Sequence, residues 1–154
     1  MSQVLAVVLA CREDPAPAGR YSHIGAATED ALYIAGGANE DGKPGDAWKF
    51  VFATGTWEQL PDPPNAMFRA TATRYGQDIF VFGGADDGGY AGGWMWSTTD
   101  GSWTSLPDGP PGRYKAASEV IEGVLYPDDA VALHGGSVDT ADGTQTLADL
   151  WVWD

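Results

Sequence analysis

The stretch Asp78-Ile79-Phe80-Val81-Phe82-Gly83-Gly84, followed by Gly93-Trp94-Met95-Trp96 and then Asp100-Gly101-Ser102-Trp103-Thr104-Ser105-Leu106-Pro107, decides the fold. An apolar β-prone run ends in paired glycines, a Gly- and Asp-rich loop follows, and two tryptophan-bearing runs are joined by a turn sequence. The same order stands upstream: Asp30-Ala31-Leu32-Tyr33-Ile34-Ala35-Gly36-Gly37, Asp46-Ala47-Trp48-Lys49-Phe50, then Thr54-Gly55-Thr56-Trp57-Glu58-Gln59-Leu60-Pro61. It stands again downstream, in Ala130-Val131-Ala132-Leu133-His134-Gly135-Gly136 and Asp149-Leu150-Trp151-Val152-Trp153-Asp154. The glycine pairs lie 47 and 52 residues apart. A repeat of that length is one supersecondary unit, which cannot bury its apolar faces alone and must stack on neighbours.

Composition agrees with many short strands. Among 154 residues, 44% are apolar, enough for a sizeable core, and 21 glycines with ten prolines fall between the apolar runs as turn residues. The chain is read as all-β. Its 22 acidic against eight basic residues give a formal net charge of -14, a field that repels phosphate backbones and anionic lipid. No nucleic acid and no membrane surface is expected as a partner. The single cysteine, Cys11, forms no internal disulfide framework. Val8-Leu9-Ala10-Cys11 looks like a lipoprotein cleavage box, but the apolar run from Val4 is short and no Lys or Arg precedes it. It is therefore read as a strand, and the protein as cytoplasmic.

These residues and their order resemble the kelch repeat: an Arg opening each unit (Arg20, Arg69, Arg113), a strand ending in Gly-Gly, an aromatic strand, and a Thr-Gly-Thr-Trp turn into a last strand. The resemblance covers Arg20 to Asp154. It implies a kelch-type β-propeller of four-stranded blades, with strands a to d running outward from a central channel. Blade 1 spans 20–64, blade 2 spans 65–110, and 111–154 supplies strands a to c of blade 3. In the third unit Arg113 lies 22 residues before its glycine pair, against 16 and 14 in the others, so a longer a–b connection is expected near Glu122 to Asp129.

The third unit has no tryptophan-bearing fourth strand, while residues 3–11 precede the first unit and have the character of an outer d strand. Three blades cannot surround an axis, since propellers close with typically 4 to 8. The expectation is a homodimer forming a six-bladed ring, in which each N-terminal segment completes the third blade of the other chain by strand exchange. A piece of a longer propeller is the competing reading.

The candidate site follows from the same resemblance. Arg20, Arg69 and Arg113 are expected near the channel mouth, where planar guanidinium groups suit carboxylate or phosphate ligands; the bland alternative pairs each with acidic or carbonyl groups of a neighbouring blade. Tyr90, in a Gly-rich loop, and His134, just before a glycine pair, are the other candidate ligand-binding residues. Asn39-Glu40-Asp41-Gly42, Asp86-Asp87-Gly88-Gly89 and Asp139 with Asp142-Gly143 are oxygen-rich, but turn chemistry explains them without calcium. Trp48, Trp57, Trp94, Trp103 and Trp151 fall at repeat positions and are read as packing residues. Two histidines and one cysteine give no zinc spacing and no nucleophile–base pair. No metal, cofactor or catalytic residue is assigned. The expected function is a non-catalytic binding module taking a protein segment or a small anionic ligand; the alternative is a mutarotase- or epimerase-like isomerase on the same fold.

Overall fold

The computed structural model describes residues 15–86, 89–90, 92–107, 109–122 and 129–153, with only the backbone described at 86, 89 and 90. The strand expected over residues 3–11, and any exchange it makes, lie outside the described residues. What is described is all-β and divides into units that repeat the sequence pattern.

The first sheet is an antiparallel meander of β1 (Ile24–Ala27), β2 (Ala31–Ala35), β3 (Ala47–Val51) and β4 (Thr56–Leu60), in that order. The second contains β5 (Thr71–Tyr75), β6 (Asp78–Phe82), β9 (Gly93–Trp96) and β10 (Trp103–Ser105) in the equivalent order. The third has three strands, β11 (Ala117–Ile121), β12 (Ala130–His134) and β15 (Leu150–Trp153). Between its first two strands, the connection from Ile121 to Ala130 is the longest of its kind, where the sequence pattern placed it.

Two of the Gly- and Asp-rich loops carry short paired strands. After the second glycine pair come β7 (Ala85–Asp86) and β8 (Gly89–Tyr90), and after the third come β13 (Ser137–Thr140) and β14 (Gly143–Thr146). In the latter, threonines at 140, 144 and 146 favour extended backbone, and Gly143 takes φ +118° at the turn.

The central strand β6 shows why the units must stack. Its alternate residues face opposite neighbours: Ile79 and Val81 join Tyr33, Ala35 and Trp96 in one buried cluster, while Phe80 and Phe82 join Val131 and Leu133 in another. A strand covered on both faces reads as a continuous apolar run. Trp96 stacks on Trp103 with centroids 4.6 Å apart and meets Tyr33 edge-on at 5.5 Å. Trp153 closes the second cluster at 5.2 Å from Phe80 and 5.5 Å from Phe82. Burying one Val, Leu, Ile, Phe or Met side chain contributes about 1.5–3 kcal/mol, and both clusters contain several of these.

The first strands of the three sheets lie side by side. β5 neighbours both β1 and β11, and Thr71 Oγ1 and Ser118 Oγ share a hydrogen bond of 2.8 Å. Close approach between sheets depends on the glycine pairs. At Gly83, φ is +75° and a Cβ would stand 2.1 Å from the Arg113 carbonyl oxygen of the next unit. Among the described residues no helix is long and apolar enough to cross a membrane.

Candidate functional site

In each unit an isolated bridge ties the segment before the first strand to the loop after the second: Tyr21 with Ala38, Phe68 with Ala85, and Tyr114 with Ser137. These bridges gather both sets of loops at one end of the sheets. They also fix which residues are equivalent.

Arg20 and Arg113 each precede their aromatic bridge residue by one position. Met67 holds that place in the second unit, and Arg69 lies two residues further on. The three arginines that the sequence pattern grouped therefore occupy two kinds of site.

Arg20 and Arg113 are consumed by the protein. The Arg20 guanidinium holds the Asp46 carboxylate in a two-pronged pair at 2.5 and 3.0 Å and also donates to the carbonyls of Ala18 and Gly36. Arg113 repeats this with Asp149 at 2.5 and 3.0 Å and with the carbonyls of Pro111 and Gly135. Each carboxylate takes a further bond of 2.7 Å from an indole, Trp48 on Asp46 and Trp151 on Asp149. The guanidinium bonds, with the indole second, depress Asp149 to about 2, and the Arg20 bonds likewise lower Asp46. With its donors engaged and only 2% of the side chain exposed, Arg113 is a strut between loop and sheet.

The second unit lacks both partners. Met67, fully buried, replaces the arginine, and Gly92, which has no side chain, replaces the aspartate, its carbonyl accepting from Gly83 as that of Asp46 accepts from Gly36. Trp94, equivalent to Trp48 and Trp151, is left with a buried indole N–H that has no acceptor among the described residues. Loss of both ions together avoids a buried unpaired charge, at the lesser cost of one orphan donor.

Arg69 is different. Its guanidinium lies 4.6 Å from the Phe68 ring centroid and 5.7 Å from that of Tyr114, and no carboxylate among the described residues pairs with it. Lys115 Nζ stands 5.8 Å from the Tyr114 ring, and Lys43 Nζ 5.7 Å from that of Phe68. Tyr21 extends the aromatic row, edge-on to Phe68 at 6.0 Å. An aromatic face holds a guanidinium in place while leaving its N–H edge free to donate.

The backbone under this row is held in a rare conformation. Ser22, Arg69 and Lys115, equivalent in the three units, have φ of +54°, +62° and +57°. Non-glycine residues in that region carry strain of roughly 1–3 kcal/mol each, and such strain concentrates at functional sites. Here it is held by a ladder across units: Arg69 N–H donates to the Ser22 carbonyl at 2.9 Å, and Lys115 N–H to the Arg69 carbonyl at 2.8 Å.

The remaining candidates do not join this cluster as a set. His134 is exposed at the end of β12, on the face opposite the buried Leu133. Tyr90 lies in β8 beside Ala85, and its side chain is outside the described residues. His23, near Arg20, has its proton affinity lowered by burial first and by the Arg20 charge second. Asp139 accepts from the Tyr114 hydroxyl at 2.9 Å and from Thr144 at 2.7 Å. Among the described residues no three His, Cys, Asp or Glu side chains converge as a metal cluster.

Sequence reasoning missed Phe68, Tyr114 and Lys115. The signal was present: aligning Arg20-Tyr21-Ser22, Met67-Phe68-Arg69 and Arg113-Tyr114-Lys115 on their aromatic residue separates Arg69 from the other two arginines. Comparison with protein-family models gives no match, and comparison with curated proteins gives none.

Proposed function

We propose that this chain is half of a kelch-type β-propeller and works as a non-catalytic binding module. In this reading the three sheets are blades, two copies form a six-bladed ring, and residues 3–11 of each copy complete the third blade of the other. The outward strand order and the adjacent first strands support it. The ligand site is the end that carries Arg69, and the ligand is a carboxylate borne by an acidic protein segment or a small molecule.

One observation carries the site. Of the three arginines singled out by the repeat, Arg69 alone has its guanidinium on aromatic rings rather than in a carboxylate pair, with the Lys115 ammonium beside the same Tyr114 ring. The charge of -14 opposes a polyanion at long range. Screening limits that opposition to about 8 Å at physiological salt, so the local Arg69–Lys115 pair prevails for a ligand with one or two carboxylates.

The test is calorimetric titration with citrate and with a short glutamate-rich peptide. Arg69→Ala weakens binding at least tenfold, whereas Arg74→Ala, whose side chain bonds the Gly76 carbonyl, leaves it unchanged. Equal binding by wild type and Arg69→Ala overturns the assignment. Binding of citrate without the peptide identifies the small molecule as the ligand source, and the reverse identifies the protein segment.

A further inference from the structure

Two backbone bonds join each unit to the next, and both stop short at the ends of the described chain. The glycine after each turn donates forward: Gly37 N–H to the Ala66 carbonyl at 3.1 Å, and Gly84 N–H to the Arg113 carbonyl at 2.8 Å. The left-handed residue donates backward, Arg69 to Ser22 and Lys115 to Arg69. Continuing the series, the Gly136 N–H and the Lys115 carbonyl on the third unit, and the Ser22 N–H on the first, have no backbone partner among the described residues.

Side chains at the same two edges are uncovered. Leu150 is 65% exposed although its equivalents Ala47 and Gly93 are buried. Tyr21 is 59% exposed although its equivalent Tyr114 is buried. The difference is positional: Ala47 and Gly93 are flanked by the outer segment of their own sheet, at Leu60 and Leu106, as well as by a further unit, and Tyr114 follows one, whereas among the described residues Leu150 and Tyr21 have no such neighbour.

The geometry points to a second copy of this chain docking head to tail, the first unit of one on the third unit of the other, so that the partner's Lys115 lies over Tyr21 and completes the aromatic–cation row. A surface that follows a unit and a surface that precedes one already meet twice within the chain, so the two free edges are complementary by construction. At the seam Ser22 N–H donates to the carbonyl of the partner's Lys115, as Arg69 donates to Ser22. Gly136 N–H donates into the partner's segment before its first strand, as Gly37 and Gly84 do. The aromatic–cation row is incomplete without this contact, because among the described residues no cation lies over Tyr21. This inference rests on the two-copy ring proposed above and adds the residues that make the seam.

The experiment is cysteine crosslinking of the full chain in a Cys11→Ser background with a short bis-thiol reagent. Ser22→Cys with Arg69→Cys is the internal reference and crosslinks within one chain. Ser22→Cys with Lys115→Cys is the seam pair and gives one species at twice the 16.2 kDa chain mass. A seam pair that stays at the chain mass while the reference pair reacts overturns the contact. A ladder of larger species upholds the contact and overturns closure by two copies. Light scattering on the unmodified protein separates the remaining cases: twice the chain mass without seam crosslinking keeps the two-copy reading and rejects this seam, and a single-chain mass rejects both. Leu150→Asp, at a position already exposed in the isolated chain, leaves the fold intact and reduces the mass to that of one copy; an unchanged mass counts against the seam.

Discussion

The Arg113 guanidinium is 2% exposed while the Asp149 carboxylate that neutralises it is 40% exposed, so one member of this ion pair is in the core and the other at its rim. The asymmetry determines how the protein answers acid. Asp149 is open to protons from solvent, but its pKa of about 2 resists protonation, because losing that charge leaves Arg113 charged and out of water.

A depressed carboxylate pKa contributes stability that is fully present above the unfolded value, about 3.9, and is lost as pH falls through the folded value. With Asp149 at about 2 and Asp46 shifted the same way, unfolding midpoints in urea should hold steady down to about pH 4 and fall between there and about 2. Circular dichroism over that range measures it. A midpoint that is flat from pH 5 to 2.5 would show that these pairs are not formed in solution.

The second unit shows how the pair can be removed at the cost of one unpaired indole N–H, because Met67 and Gly92 replace both ions at once. Asp149→Ala should destabilise by on the order of 3 kcal/mol, since it strands a buried guanidinium. Arg113→Met combined with Asp149→Gly should cost less than that single change and should flatten part of the acid response. Denaturant titration of the two variants decides; a double variant weaker than the single one contradicts the comparison with the second unit.

Gly55 and Gly83 have similar φ, +67° and +75°, but different surroundings. A Cβ on Gly55 meets nothing within 4 Å, and one on Gly83 meets the Arg113 carbonyl oxygen at 2.1 Å. Gly55→Ala should cost only the left-handed strain, about 1–2 kcal/mol. Gly83→Ala should cost on the order of 4 kcal/mol or more, because backbone of the next sheet must retreat. Equal thermal midpoints for the two variants would mean that the second and third sheets do not approach as closely as described.

Strand positions and sheet membership were legible in the sequence because they depend on local periodicity and on glycines that terminate strands. Val81 and Phe82 followed by Gly83-Gly84 announce the end of β6 without reference to any other part of the chain. The long connection before β12 was legible for the same reason, as extra length between two recognisable landmarks. The β13–β14 hairpin was not foreseen, because Asp142-Gly143 and its flanking threonines read equally well as an open loop.

The site was less legible, and the arginines show why. Alignment on the neighbouring aromatic residue sets Arg69 apart, but nothing within a few residues of Arg20 or Arg113 names the carboxylate each one holds: Asp46 is 26 residues from Arg20, and Asp149 is 36 from Arg113. The sequence alone determined that this protein is built of repeated antiparallel sheets, since each sheet's pattern is written in consecutive residues. Only the tertiary structure decided which basic side chains are locked in carboxylate pairs and which lie on aromatic rings, because ion pairing and ring contact depend on distances between segments that the chain brings together only when the sheets stack.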